Sequence, residues 1–273
     1  MPRRDLGSGL VLRDATPDDV DALAAFNARF HEGPGELIAA WTRDLFDGHP
    51  ACRPEDFTVV EDTAAGRIVS SLALIAQTWT YGGVPFGVGR VELVGTDEAY
   101  GRRGLARALL DVLHARSRAR GEPAQAITGI PWYYRQFGYE YALPLDGGER
   151  APRRLLPAPA TDAPGAYRVR PATAADAPFI AATDARGRAR YLVAAALWRY
   201  EIAGRGERAR PWTVEVIEPA AGGGPVGFVV CGRLIQGGAL TVRACELAPG
   251  VGWLAVSGDL LPAPRRPSRT GAG

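Results

Sequence analysis

Val91-Glu92-Leu93-Val94-Gly95-Thr96-Asp97-Glu98-Ala99-Tyr100-Gly101-Arg102-Arg103-Gly104-Leu105-Ala106-Arg107-Ala108-Leu109-Leu110 is the stretch around which the 273-residue chain is organised. It begins as an apolar run of strand length and turns through Asp97 and Glu98. Two arginines between two glycines follow, and then apolar residues at helical spacing. Strand, glycine-containing loop and helix start in succession bring backbone N–H groups together where an anion can sit. Arg102 and Arg103 beside that point favour a phosphate as the anion. No Lys-Ser or Lys-Thr follows Gly104, so this is not a nucleotide-triphosphate P-loop. The spaced glycines of a dinucleotide fingerprint are missing as well.

Upstream, Leu10-Val11-Leu12-Arg13 reads as a strand, and Thr16-Pro17-Asp18-Asp19 as a helix entry with Thr as N-cap, Pro at N1 and acids in the first turn. Gly33-Pro34-Gly35 separates that helix from a second over Glu36 to Phe46. Strands are expected over Phe57–Glu61, Arg67–Gln77 and the run ending at Thr96. The turns between them suit an antiparallel meander. Downstream, a helix from about Arg103 to Arg120 presents Leu105, Leu109, Val112 and Leu113 on one face and stops at Gly121-Glu122-Pro123. A strand over Ala126–Ile130, a short helix Pro131–Phe137 closed by Gly138, and a strand over Tyr139–Leu145 complete a mixed α/β domain.

Residues 1–150 form this first domain, and 151–166 a Pro/Ala-rich linker. Residues 167–258 read as a partial second copy, because Val169-Arg170-Pro171-Ala172-Thr173-Ala174-Ala175-Asp176 repeats Leu12-Arg13-Asp14-Ala15-Thr16-Pro17-Asp18-Asp19. Residues 259–273, rich in Pro, Arg, Ser and Gly, are expected to be a disordered tail. The second copy stops about where its own arginine–glycine loop would begin, so one phosphate site is expected. Whether the chain is a truncated or frameshifted form of a longer tandem protein is left open at this point.

A net charge of +2 argues against a strongly basic nucleic-acid binder. With no lysine in the sequence, Schiff-base and lysine-nucleophile chemistry is excluded. Cys52, Cys231 and Cys245 are too scattered for a metal motif or a disulfide framework and read as buried free thiols. No apolar stretch is long enough to span a bilayer, and Met1-Pro2-Arg3-Arg4-Asp5 leads into no signal sequence. The expectation is a cytoplasmic protein with no metal, nucleic-acid or membrane partner; homo-oligomerisation is left open.

Val94-Gly95-Thr96 followed by Gly101-Arg102-Arg103-Gly104-Leu105-Ala106 resembles motif A of the GNAT superfamily, the acetyl-CoA-dependent N-acetyltransferases. Thr96 stands where the motif has a second Val, and Gly101 where Gln or Arg is commoner. Tyr134-Arg135-Gln136-Phe137-Gly138-Tyr139 is similar to the family's Tyr-x-x-x-Gly-Phe/Tyr segment. The resemblance covers most of residues 10–146. The tandem arrangement is most similar to the enhanced-intracellular-survival acetyltransferases, which join two GNAT-type regions to a sterol-carrier-like region. In that family the C-terminal carboxylate is the proposed base; Gly271-Ala272-Gly273 on an expected disordered tail gives no ground for carrying that role over.

The resemblance implies a GNAT-type, mostly antiparallel mixed sheet flanked by helices, with acetyl-CoA as co-substrate. Its pyrophosphate is expected on the N–H groups of Arg102, Arg103, Gly104, Leu105, Ala106 and Arg107. Its pantetheine arm is expected along Val94, Gly95 and Thr96, where that strand splays from Ala126–Ile130. Val91 and Leu93 are expected on the opposite face. Tyr134 is the expected acid for the departing thiolate, since a phenol of pKa about 10 stays protonated at neutral pH while a thiol titrates at about 8.5. Glu92, expected on the face of Val94 and Thr96, is the candidate base beside Asp97, Glu98 or a water. Tyr133 reads as core packing, and so do Trp41, Phe46, Trp79 and Tyr81 against an alternative as acceptor-pocket lining. His31, His49 and His114 receive no role. The expected reaction moves acetyl to an amine of a small molecule or peptide by direct attack in a ternary complex. The alternatives are a tandem enzyme resembling mycothiol synthase and a catalytically inactive acyl-CoA-binding or scaffold protein.

Overall fold

The computed structural model describes residues 3–31, 33–130, 132–143, 149–152, 165–187, 189–191, 194–205, 212–232 and 239–260. Contacts divide the chain into two units, Met1–Leu145 with Ala185–Arg210, and Asp146–Asp184 with Pro211–Gly273.

The first unit opens with a hairpin the sequence reading did not anticipate, β1 (Arg4–Gly7) and β2 (Leu10–Asp14), turned by Gly7 and Gly9 at positive φ. A 3-10 turn over Pro17–Asp19 leads into α1 (Val20–Phe30), followed by α2 (Gly35–Asp47). Strands β3 (Phe57–Asp62), β4 (Arg67–Tyr81) and β5 (Val84–Thr96) form the expected antiparallel meander. Then come α3 (Leu105–Ala119) and β6 (Ala124–Ile127), which lies parallel to β5. The sheet order is β1-β2-β3-β4-β5-β6, mostly antiparallel as expected.

Two apolar layers sandwich this sheet. On one face Leu105, Leu109, Leu110 and Leu113 of α3 pack with Leu72, Leu74, Val91 and Tyr134. On the other, Leu23 and Phe26 of α1 and Leu45 and Phe46 of α2 pack with Phe57, Ala73 and Leu93. Each fully buried leucine contributes about 1.5–3 kcal/mol, which is what holds α3 in register on the sheet.

The helix entry is built as its residues suggest. The Thr16 N–H and hydroxyl both donate to Asp19 Oδ2, at 2.7 and 2.9 Å. Arg13 grips Asp19 through Nη1 and Nη2 (2.7 and 2.8 Å) and Glu61 through Nε (2.8 Å). Burial pushes the Asp19 carboxyl up, but Arg13 and Thr16 outweigh it and hold it below the ordinary value. A depressed carboxylate stabilises the fold above its unfolded pKa, and that contribution fades as pH falls through the folded value. Asp19→Asn is therefore expected to lose about 1–2 kcal/mol at neutral pH. In urea titrations the gap should narrow below about pH 4; a gap independent of pH would contradict the account.

Three expectations fail in this unit. β6 covers Ala124–Ile127 rather than Ala126–Ile130. Tyr139–Leu143 form no strand, and 144–145 lie outside the described residues. The Tyr139 N–H is spent on the Tyr134 carbonyl (3.2 Å), and the Tyr141 hydroxyl accepts from the Trp132 N–H (3.2 Å), so turn contacts replace a ladder. Finally, α3 starts at Leu105, because Gly104 at φ +74° is its N-cap and not its first turn.

In the second unit β7 (Glu149–Pro152) takes up Ala151 and Pro152, expected as linker; 153–164 lie outside the described residues. β8 (Tyr167–Pro171) and α4 (Ala177–Asp184) follow. The chain then passes through β9 (Ala189–Tyr191) and α5 (Ala195–Arg199), which group with the first unit and not with the expected second domain. The reason is a backbone ladder, Trp79–Tyr81 of β4 against 189–191. β10 (Trp212–Pro219), β11 (Gly227–Gly232), β12 (Ala239–Leu247) and α6 (Trp253–Leu260) complete the second unit, in sheet order β7-β12-β11-β10-β8. Residues 259–260, expected as tail, close α6, and 261–273 lie outside the described residues.

The capping arrangement of the first unit recurs in the second. Thr173 caps on Asp176 (2.9 Å), and Arg170 binds Asp176 (2.8 Å) and Glu218 (2.7 Å). These are the counterparts, at one constant offset, of Thr16, Asp19, Arg13 and Glu61.

Candidate active site

The β4–β5 ladder pairs Ser71 with Gly95 and Ala73 with Glu92, which leaves one extra residue in β5. That bulge falls at Leu93 and Val94, and Leu93 has φ +54°. A leucine there is strained by its Cβ, and such bulges re-aim the side chains beyond them. Val91 and Val94 consequently pack on the α3 face, while Leu93 belongs to the α1 face. Glu92, opposite Ala73, lies on the α1 face too, and Thr96, whose hydroxyl is 2.8 Å from that of Ser70, on the α3 face. The expected grouping of Glu92 with Val94 and Thr96, and of Val91 with Leu93, is therefore corrected. The strict alternation assumed for the strand stops at the bulge.

The β5–β6 pairing ends at Val91 and Ile127. From Glu92 onward the backbone of β5 has no β6 partner among the described residues, so the expected splay is present. At its mouth the Arg90 guanidinium binds Glu92 Oε1 through Nε (2.7 Å) and Nη2 (2.6 Å), and Nη2 also donates to Thr128 Oγ1 (2.6 Å). Burial pushes the Glu92 carboxyl above its ordinary value, and Arg90 pulls it back in part.

Beyond Thr96 the chain is braced before it reaches the loop. Asp97 accepts from the Ala99 N–H (3.0 Å) and from Arg67 (2.7 Å), and the Tyr100 hydroxyl donates to Asp62 (2.6 Å). The Arg103 and Arg67 guanidiniums both lie over the Tyr100 ring, 5.0 and 5.2 Å from its centroid. Arg102 at φ +61° and Gly104 at φ +74° then turn the chain into α3.

The first helical hydrogen bond at this end runs from the Ala108 N–H to the Gly104 carbonyl (3.0 Å). The N–H groups of the preceding turn, at Leu105, Ala106 and Arg107, are left without helical acceptors. Gly101 to Gly104 are exposed, and a Cβ on Gly104 would meet nothing within 4 Å. Side-chain bulk is tolerated there, but backbone conformation is not. Gly104→Val, a β-branched residue forced to positive φ, is expected to destabilise the fold by roughly 1–2 kcal/mol through backbone strain. Denaturant titration checks this, and an unchanged stability would contradict it.

Tyr134 sits in a 3-10 turn over Tyr133–Phe137 that Gly138 closes at φ +89°. Its side chain is 8% exposed and belongs to the α3-face core. Its ring also lies 3.6 Å from where a Gly129 Cβ would be, just past the end of β6. Burial, with smaller contributions from Tyr133 and Glu92, pushes its hydroxyl up to about 12. Tyr134 and Glu92 thus approach the splay from opposite faces of the sheet. Tyr139 is structural: its hydroxyl donates to Gln125 (2.5 Å) and lies 3.2 Å from His114 Nε2.

Among the aromatic residues read as packing, Phe46 and Trp41 do pack in the core on the α1/α2 side. Tyr81, at 67% exposed, does not, and Tyr133 is also exposed. Cys52 is buried, whereas Cys231 and Cys245 are half-buried. Among the described residues no group of three potential ligands is placed to hold a metal, and no helix is long and apolar enough to cross a membrane.

His31 is the residue that sequence reasoning missed. It ends α1, and its Nε2 is buried with no hydrogen-bond partner among the described residues. A Cβ on Gly95 would lie 3.3 Å from that nitrogen. A lone histidine before a helix break carries no motif; only the bulge gives it a neighbour worth noting.

Residues 11–142 match the model of the acetyltransferase (GNAT) domain. That match spans just under half of the 273-residue chain. A comparison with curated proteins finds no match. Among solved structures, the chain is similar to a GCN5-related N-acetyltransferase from Kribbella flavida, at 20% identity and a TM-score of 0.61, over 92% of this chain and 59% of that one. It is similar to Eis1 from Mycobacterium abscessus at 19% identity and a TM-score of 0.59, over 92% and 62%. N-myristoyltransferase from Saccharomyces cerevisiae, solved with myristoyl-CoA bound, aligns at 10% identity and a TM-score of 0.62, over 90% and 68%. At these identities the likeness is one of fold. The chain spans about three fifths of the length of the first two.

Proposed function

We propose that the protein transfers an acetyl group from acetyl-CoA to an amine of a small molecule or peptide, by direct attack in a ternary complex. The observation that carries this reading is the convergence on one strand end of three features: an exposed turn of unpaired N–H groups, a bulged and splayed β5, and the hydroxyl-bearing ring of Tyr134. The tandem-type arrangement and a cytoplasmic setting belong to the same proposal.

The N–H groups from Arg102 to Arg107 would hold the pyrophosphate, with Arg102 and Arg103 adding charge at the rim. The backbone at Val94, Gly95 and Thr96 would hold the pantetheine arm and orient the thioester carbonyl. When bound, acetyl-CoA supplies the activated acyl group. The amine in its ammonium form first gives one proton to a water molecule, and the lone pair of the neutral nitrogen then forms the new C–N bond. As the C–S bond breaks, Tyr134 donates its proton to the departing sulfur. The second nitrogen proton returns to the tyrosinate, leaving an amide and a free thiol. Glu92 brings negative charge to the amine side, where its Oε1 is already occupied by Arg90.

The test is thiol release from acetyl-CoA against a panel of amines, with the acetylated product identified by mass. Amine-dependent release supports the reading. Binding of acetyl-CoA without turnover would favour a catalytically inactive acyl-CoA-binding protein, and the absence of binding would end both. A thiol-sugar amine in the panel separates a mycothiol-synthase-like acceptor from others.

A further inference from the structure

We infer that Ser70 is a positioning residue for the pantetheine arm of acetyl-CoA: its buried hydroxyl ties down Gly95 and Thr96, so that the backbone groups of Thr96 face the splay between β5 and β6. This inference rests on the acetyltransferase reading above and adds a residue to it.

The bulge makes such a tie necessary. Neither Leu93 nor Val94 has a partner in the β4–β5 ladder, which resumes beyond them only at Ser71–Gly95 and Ser70–Thr96 before β5 ends. Gly95 has no side chain to anchor it, and a Cβ there would come within 3.3 Å of Phe26 Cε1. Ser70 is fully buried, and its hydroxyl donates to the Gly95 carbonyl at 2.9 Å. A carbonyl only accepts, so the single Ser70 proton is committed there. The Thr96 hydroxyl is therefore the donor across its 2.8 Å contact with Ser70 Oγ. One oxygen thus holds two successive residues of β5, the first by its peptide group and the second by its side chain.

The direction of the free peptide groups follows from the ladder. The Asp97 N–H donates to the Val69 carbonyl at 2.9 Å, which makes Val69 and Asp97 a hydrogen-bonded pair. Such pairs alternate along an antiparallel ladder, so Ser70 and Thr96 are a non-hydrogen-bonded pair. The N–H and C=O of Thr96 accordingly point away from β4. On that side β6 has already ended, since its pairing with β5 stops at Val91 and Ile127. One donor and one acceptor are offered there to a ligand with amide groups, which the pantetheine arm has. Ser70 keeps the residue that carries them from turning.

The neighbouring serine supplies an internal comparison. Ser71 is also fully buried, but its hydroxyl donates to Asn27 Oδ1 on α1 at 3.1 Å. Asn27 Nδ2 in turn donates to Thr42 Oγ1 on α2 at 3.2 Å. That chain ties the helices to the sheet and leaves the side chains of β5 alone.

The experiment titrates the full-length wild type, Ser70→Ala and Ser71→Ala calorimetrically with acetyl-CoA and with 3′-phospho-ADP, the portion of CoA that lacks the pantetheine arm. Urea midpoints are measured alongside and are expected to fall by similar amounts in the two variants, each having lost one buried hydroxyl. For Ser70→Ala the acetyl-CoA dissociation constant is expected to rise about tenfold, the scale of one lost hydrogen bond, and that of 3′-phospho-ADP to change less than about threefold. Ser71→Ala is expected to leave both affinities unchanged. Should Ser70→Ala be too unstable to titrate, Ser70→Cys, which keeps the volume with a weaker donor, is expected to show the same split between the two ligands. A purely structural role for Ser70 would weaken both ligands alike or neither. Either result, or an equal loss of acetyl-CoA affinity in Ser71→Ala, would overturn the inference while leaving the acetyltransferase reading intact. A wild-type protein that binds neither ligand would overturn this inference along with the reading beneath it.

Discussion

Tyr134→Phe is expected to lower kcat for amine-dependent thiol release by about 10²–10⁴-fold, the usual worth of a positioned general acid, and to leave acetyl-CoA affinity unchanged. The ring is buried against Leu105, Leu109 and Val91 on the α3 face, and phenylalanine fills the same volume, so the fold should survive the change. What disappears is the proton for the departing sulfur. With its hydroxyl pushed up to about 12, Tyr134 stays protonated at neutral and mildly alkaline pH. The wild-type rate should therefore show no alkaline decline from this group. A steady-state comparison of the two proteins decides the matter. A variant with wild-type kcat would remove Tyr134 from the chemistry, and one that loses affinity with kcat intact would make it a binding residue.

Leu109→Ala is expected to destabilise the first unit by about 2–5 kcal/mol, the range for a leucine truncated in a rigid core. Leu109 is fully buried, with Leu105, Leu110 and Leu113 as neighbours along α3 and Leu72 and Leu74 beneath them. The consequence extends to the site, because α3 begins at the loop whose N–H groups face solvent. Loosening the helix on the sheet should weaken acetyl-CoA binding as well as lower the unfolding midpoint. Denaturant titration with and without acetyl-CoA measures both, and a loss below 1 kcal/mol would show that the α3 layer is not the core described above.

Much of the fold was legible because its signals are local. Thr16 and Asp19 mark a helix entry whatever surrounds them, and Thr173 and Asp176 repeat the signal. The leucines of α3 keep a helical spacing that no strand could use. The glycine and arginine loop was legible for the same reason, as Gly104 announces a left-handed turn before a helix. What stayed hidden depends on partners distant in sequence. The extra residue at Leu93 is invisible in an apolar run, because a bulge is defined by the facing strand and not by the residues in it. That one residue moved Glu92 to the face of Leu93 and set Gly95 beside the His31 ring. Likewise Tyr139 to Leu143 alternate well enough for a strand, but Tyr139 and Tyr141 are captured by the turn before them. The segment around β9 joined the first unit through a ladder of three residues that no periodicity could announce.

The central claim is that the turn from Arg102 to Arg107 is an acetyl-CoA pyrophosphate site opening onto the gap between β5 and β6. A crystal structure of the protein with CoA tests it most directly. The account predicts pyrophosphate oxygens within hydrogen-bonding distance of those backbone N–H groups, and the thiol between Val94 and Tyr134. CoA bound elsewhere, or a protein saturated with CoA whose loop N–H groups still face bulk water, would contradict it.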